Sequence, residues 1–274
     1  MPRISSRQNA VVARYRDAAR GVDRSEMLLD GPHLLAEALD AGTHLRHVLV
    51  AAPEVRSPEL TRLVDTLYAN GVDVAEATAP VLDAASPVRS ASPVVALAER
   101  PTNPHSPFEP SPALVVVACD IQDPGNLGAI IRVAEAAGAT GLIVAGQSAD
   151  PFGWKALRGS MGSALRLPLA YAATVEDACA DAVSHGVRVA ATVPRRGALL
   201  NDAVLSGPVA LLIGGEGPGL PRAVIDAADL RITIPMESPV ESLNAAVAAA
   251  VLLYEARRQR HAAPSPVASI PLTA

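Results

Sequence analysis

Glu216 is the lone carboxylate among Gly214, Gly215, Gly217 and Gly219, directly after the apolar run VALLIG. Asn126 and Arg132 lie six residues apart in DPGNLGAIIR, and Ser242 and Asn244 close the segment IPMESPVESLN. A carboxylate accepts hydrogen bonds, an amide both donates and accepts, and an arginine grips a carboxylate or phosphate. Such groups suit binding and alignment beside a small-molecule ligand that can approach a backbone stripped of side chains.

Each has a plainer alternative. Asn126 could be a turn or helix-cap residue. Arg132, between Ile131 and Val133 in a mainly apolar helix, reads as half-buried and in need of an anionic partner, which a structural ion pair would also supply. Ser242 could cap the last helix. The glycine loop could be an ordinary β-to-α turn, although four glycines in six positions exceed what a turn requires, and Pro218 and Pro221 would stiffen it. The loop matches neither the dinucleotide fingerprint GxGxxG nor the P-loop, so both familiar phosphate-binding readings fail on spacing. A weaker group, Lys155, Arg158, Gly159, Ser160, Met161, Gly162 and Ser163, suits either an RNA-backbone contact or a surface helix.

The elements that must position these groups alternate. EMLLD, HVLVAA, VDVAEA and VVALAER read as strands separated by helical patterns such as PHLLAEALD and SPELTRLVDTLYANG. That alternation predicts a small α/β unit over 1–100 with a largely parallel sheet. PTNPHSPFEPSP, residues 101–112, reads as a stiff linker. ALVVVACDI, GLIVAG, VRVAAT, VALLIG and RITIP then predict a second α/β unit over 113–261, its polar groups at the carboxyl ends of buried parallel strands. Leu127, Ile130, Ile131, Ala134 and Ala137 form the inward stripe of the helix after DPGN. Leu243, Val247, Val251 and Tyr254 form that of the last helix, placed after Val240. Residues 262–274 are expected to be disordered.

Composition narrows the class. Half the residues are hydrophobic but only 3% are aromatic, so the cores are aliphatic. No apolar run approaches the ~20 residues of a membrane span, and the N-terminus lacks the apolar heart of a signal peptide. Cys119 and Cys179 form no CxxC pair, which leaves a metal site and a disulfide framework without support. A cytoplasmic protein is expected. The net charge of -5 argues against nucleic acid, but arginines crowd both ends: Arg3, Arg7, Arg14, Arg16, Arg20 and Arg24 at one, Arg257, Arg258 and Arg260 with His261 at the other. These are local phosphate-binding surfaces or solvated helix faces.

Taken in order, NLGAIIR, IGGEGPGL and IPMESPVESLN resemble the three motifs of the SpoU (TrmH-type) RNA 2′-O-ribose methyltransferases of the SPOUT class. RGSMGSALRLP is similar to that family's segment between the first two motifs. The resemblance spans the second unit. In the first unit it rests on SSRQNAVVARYRDAARGVDRSEMLLDGPHLLAEAL, which looks like a substrate-binding domain. Ala245 stands where the family more often has Val.

The resemblance implies a C-terminal α/β deep trefoil knot, a homodimer, and S-adenosylmethionine held by Thr192, Gly214, Glu216, Gly219, Ile234, Met236 and Leu243. It implies catalytic or site-shaping roles for Arg132, Asn126, Glu216, Ser242 and Asn244, with no metal and no membrane. RNA contacts are expected from Arg7, Arg14, Arg158 and Ser160. The implied reaction is 2′-O-methylation of ribosomal RNA, a 23S uridine being favoured, with ribosome-directed antibiotic resistance as a role known among actinobacterial relatives. The competing readings are a tRNA 2′-O-methyltransferase and a non-catalytic RNA-binding protein.

Overall fold

The computed structural model describes residues 1–90, 92–102, 105–217 and 219–262, without the side chain of Glu54. Residues 263–274 and Pro218, for which disorder and a stiffening role are expected, lie outside the described residues, as do Asn103 and Pro104 of the linker.

The first unit runs β1 (Arg3–Ile4), α1 (Ala10–Arg20), β2 (Glu26–Asp30), α2 (Pro32–Asp40), β3 (Leu45–Ala51), α3 (Pro58–Ala69), β4 (Val74–Ala77), α4 (Ala79–Ala85) and β5 (Val94–Glu99). Its sheet order is β1-β4-β3-β5-β2. The expected largely parallel sheet is mixed, because β5 runs antiparallel to both its neighbours. The turn after α4 is tied down at the carboxyl ends of β2 and β3. Ser86, just past its end, donates to Asp30 at the carboxyl end of β2 at 2.5 Å. Ser92 donates to the other oxygen of Asp30, also at 2.5 Å. The chain thus enters β5 at the end where β2 and β3 finish.

The second unit runs β6 (Leu114–Cys119), α5 (Pro124–Ala137), β7 (Gly141–Ala145), α6 (Trp154–Ser160), β8 (Leu169–Ala172), α7 (Val175–Ser184), β9 (Arg188–Thr192), β10 (Ala198–Leu199), β11 (Val209–Gly214), α8 (Arg222–Ala227), β12 (Leu230–Thr233) and α9 (Ala245–His261). All its ladders are parallel, in the order β10-β12-β9-β11-β6-β7-β8. The short β8 and β10 have no clear counterpart in the sequence pattern. Period-two alternation sorts β6 cleanly. Leu114, Val116 and Ala118 pack with the residues of α5 and α9, while Val115, Val117 and Cys119 pack with those of α7 and α8.

The linker is not a free tether. Phe108 is buried and stacks on His185 with ring centroids 4.6 Å apart. Thr140 donates to the Pro107 carbonyl at 2.6 Å. A Cβ on Gly141 would sit 2.7 Å from Pro107, so the strap and β7 fit only because position 141 is glycine. Met27 and Leu29 of β2 share one continuous buried cluster with Leu127 and Leu157 of the second unit. The units therefore pack as partners rather than beads on a string.

The inward stripe of α9 also differs from expectation. Val247, Val251 and Tyr254 are exposed, at 49%, 39% and 52%, while Ala245, Ala249, Leu252, Leu253 and Ala256 are buried. Ala245, Ala249 and Ala256 let α9 lie close to α5, Leu252 and Leu253 fill the core beside them, and Val247, Val251 and Tyr254 are turned outward. Arg260 is consumed rather than offered to a ligand, donating to the carbonyls of Pro112, Ala113, Leu205 and Gly207. Among the described residues no helix is long and apolar enough to cross a membrane.

Candidate functional site

A cavity of about 600 Å³ opens over the carboxyl ends of β9, β11 and β12. Thr192, Gly214, Glu216, Gly219, Ile234, Met236 and Leu243, the expected cofactor contacts, all line it. So do Ser242 and Asn244. From β6 the chain moves through β7 to β8 on one side, then crosses to β9, β11 and β12 on the other. The cavity lies beside this reversal, where open parallel sheets leave a crevice.

The glycines of the loop have internal reasons. A Cβ on Gly215 would collide with the Asp120 carbonyl oxygen, so the loops after β11 and β6 touch backbone to backbone. Gly217 and Gly219 have φ of 98° and 66° and meet no neighbour, so they are required by the turn itself. Asp120 takes φ 54° without being glycine and is held by the Gln147 N–H, which donates to its Oδ1 at 2.7 Å. This packing, more than the approach of a ligand, accounts for the glycine run.

Asn126, Glu216 and Asn244 come from three distant stretches and converge. Asn126 Nδ2 donates to Glu216 Oε1 at 2.6 Å. Asn244 Nδ2 donates to Asn126 Oδ1 at 3.0 Å and to the same Glu216 oxygen at 3.2 Å. Only the amide nitrogens can face a carboxylate, so chemistry fixes both amide orientations. Asn126 is not the cap of α5. Asp123 is, accepting from the Asn126 N–H at 2.7 Å, which frees the Asn126 side chain. Asn244 is the cap of α9, its Oδ1 accepting from Ala246 and Val247 N–H. The helix begins at Ala245, later than expected, and Ser242 is exposed in the preceding segment rather than capping it. Among the described residues Glu216 Oε2 accepts no hydrogen bond.

Other expected residues fall differently. Arg132 is exposed, not half-buried, and has no ion pair or hydrogen bond among the described residues. The polar face of α5 leaves its guanidinium in solvent. Arg7 and Arg158 are likewise exposed and without partners there. Arg14 pairs with Glu26 at 2.7 Å while staying half exposed. Ser160 cannot touch RNA, since it is fully buried and its hydroxyl donates to the Leu157 carbonyl at 3.0 Å.

The wall residues Ile213, Ile225, Ile232 and Ala248 are not among those that the sequence marks, whereas Leu220 ends the glycine motif and Ala245 follows the last one. Ile213 and Ile232 carried a usable signal, lying beside the glycine and proline turns that end their strands. Ile225, on α8, carried none. At the rim, Arg195 pairs with Glu241 at 3.6 Å and so joins the loop after β9 to the segment before α9. The cavity has the size of a nucleoside-derived cofactor, an apolar wall able to face a base, and backbone groups and one carboxylate on the other side.

The profile of the SpoU rRNA Methylase family matches residues 113–254. An uncharacterized tRNA/rRNA methyltransferase of Synechocystis sp. is 34% identical over 267 residues, 96% of each chain. The 23S rRNA (guanosine(2553)-2'-O)-methyltransferase RlmP of Bacillus subtilis is 30% identical over 94% of this chain and 100% of its own. The SpoU methyltransferase AviRb from Streptomyces viridochromogenes, solved in complex with AdoMet, is similar in structure with a TM-score of 0.80. It is 29% identical, over 92% of this chain and 99% of that one.

Proposed function

This chain belongs to the SpoU rRNA methylase family, and from that premise we propose that it is an S-adenosylmethionine-dependent 2′-O-ribose methyltransferase of 23S ribosomal RNA. The observation that carries the reading is the convergence of Asn126, Glu216 and Asn244 at the mouth of a cavity that fits the cofactor. Bound there, S-adenosylmethionine supplies an electrophilic methyl group for a ribose 2′-hydroxyl.

The chain's own residues hold and align. The apolar wall of Ile213, Ile232 and Ile234 packs the cofactor's base and excludes water. Asn126 and Asn244 fix the Glu216 carboxylate through Oε1, leaving Oε2 to accept the hydrogen bond of the incoming hydroxyl and draw off its proton. Arg132 cannot serve as the base, because a guanidinium keeps its proton in proteins and has no lone pair to accept another. Exposed on the helix that carries Asn126, it grips the substrate phosphate instead. Fixed geometry of this kind supplies much of the rate in such a displacement.

The first unit, 1–100, is the RNA-binding domain of this reading, joined through 101–112 to the methyltransferase domain. Val247, Val251 and Tyr254, exposed along α9, form an apolar strip that a second copy would cover, so the working form is a homodimer. The final segment threads a trefoil knot, in keeping with α9 returning to pack on α5 after β12 has formed outside β9. The protein acts in the cytoplasm.

Methylation of deproteinised 23S RNA with labelled cofactor, followed by mapping of the modified nucleotide, tests the reading. Label on one ribose of 23S RNA supports it. Label only on tRNA, or none while the cofactor binds, overturns it. Uridine is the favoured base and guanosine its competitor, since the Bacillus relative is named for guanosine. A role in drug resistance would show as tolerance to a large-subunit antibiotic on expression in a sensitive host.

A further inference from the structure

The chemistry above uses nothing from RGSMGSALR, yet its residues are tightly placed. Arg166 donates through Nε and Nη2 to the two oxygens of Glu135, at 2.7 and 2.9 Å, and through Nη1 to Oε2 of Glu37. Glu135 lies on α5, three residues beyond Arg132 and on the helix that bears Asn126. Glu37 lies on α2 of the first unit. A single guanidinium therefore spans the boundary. Its planar fork allows the bidentate grip on Glu135 while a third N–H reaches Glu37, a geometry lysine cannot reproduce.

The surrounding backbone is shaped for that bridge. Gly162 takes φ 89°, and a Cβ there would lie 2.7 Å from the Cβ and Oε2 of Glu37. Its missing side chain is the space that Glu37 occupies. On the other side Gly128 of α5 meets α6, where an added Cβ would fall 3.0 Å from the Gly159 Cα. With backbone on backbone, α6 cannot shift without carrying α5. A second pair crosses the same boundary, Arg100 with Asp150 at 2.7 Å.

We infer that residues 159–166 form a rigid joint between the two units, with Arg166 a positioning residue that sets the register of the first unit against α5. RNA held on the first unit then meets Asn126, Glu216 and Asn244 at one fixed distance. The inference rests on the proposed RNA methylation for its functional half only.

The test uses the full chain. Glu37→Gln takes the charge from the arm that crosses the boundary and leaves the Arg166–Glu135 pair, while Gly162→Ala attacks the joint from the backbone side. Nitroxide labels at Val22→Cys and Val183→Cys, with Cys179→Ser, report the inter-unit distance distribution by pulsed electron spin resonance. Both joint variants should broaden that distribution. For a 23S RNA fragment, KM should rise on the order of tenfold, since RNA that bridges both units is held at a lower effective concentration once the joint loosens. kcat and S-adenosylmethionine binding should hold, and Arg166→Lys should fall between parent and Glu37→Gln. A merely structural contact would lower Tm and leave KM alone. A distribution as narrow as the parent's, or a broadened one with unchanged KM, overturns the inference. If the parent methylates no RNA while the distribution responds as expected, the joint stands and the proposed reaction falls.

Discussion

The two units spend their polar residues in opposite ways. In the first, polar side chains are buried and their hydrogen bonds closed inside the protein. Tyr15, fully buried, lies 2.9 Å from both His47 Nδ1 and the His47 carbonyl. Asp30 accepts from two serines, and buried Glu26 takes Arg14. Thr78 Oγ1 is the one buried side-chain polar atom without a partner among the described residues. In the second unit, Asn126, Glu216, Ser242 and Asn244 gather beyond strand ends, the first half-buried and the others exposed, and Glu216 keeps an oxygen open. Closed networks stabilise and specify a fold, whereas open valences on a rigid frame are what a substrate can use.

Substitutions can break this contrast from either side. Glu216→Gln keeps the shape of the open cluster and removes its acceptor. kcat should fall by about 10²–10⁴, with S-adenosylmethionine binding and Tm nearly unchanged by calorimetry. A variant that kept full kcat would remove Glu216 from the reaction. Arg132→Ala should raise KM for RNA about 10- to 100-fold, the equivalent of ~1.5–3 kcal/mol for a charged hydrogen bond, without altering the circular dichroism spectrum.

On the closed side the effects should appear in stability alone. Tyr15→Phe strands His47 Nδ1 and a backbone carbonyl in the core and should cost ~1–3 kcal/mol, read from urea unfolding, with kcat intact at low temperature. A smaller effect is expected from pH. Burial holds the His47 pKa below its usual value. Above about pH 6.5 the ring is neutral in both folded and unfolded chains. Below that the unfolded chain takes up the proton first, so stability falls on acidification. Tm should drop between about pH 7 and 5.5, less steeply in His47→Gln, and a Tm insensitive to pH would show that His47 does not carry the effect.

The contrast also explains what could be read from sequence. Apolar runs such as LVVVAC and VALLIG announce parallel strands because both faces are covered, and polar residues just beyond them announce the site. Type and place marked Asn126, Glu216 and Asn244 as separate candidates, and only the resemblance of the three motifs to the SpoU family implied that they share one site. Patterns failed where a helix buries its small residues. On α9 hydropathy favours Val247, Val251 and Tyr254, but close packing on α5 selects alanine. Ser160 and Arg132 were misplaced for a related reason, since side-chain polarity does not reveal which way a helix is turned. The reversal of β5 goes with Asp30 holding the turn before it, a link between residues 56 and 62 positions apart that no local pattern reveals.

Arg260 has a consequence for synthesis. The carbonyls of Pro112 and Ala113, at the threshold of the first strand of the large sheet, find their guanidinium only from a residue made almost 150 positions later. Asn244, the cap of that same helix, must arrive before Glu216 has both its amide partners. A nascent chain whose last helix has not yet emerged thus carries most of the sheet but no finished centre. Competence arrives when that helix folds back and closes both the frame and the machinery it supports.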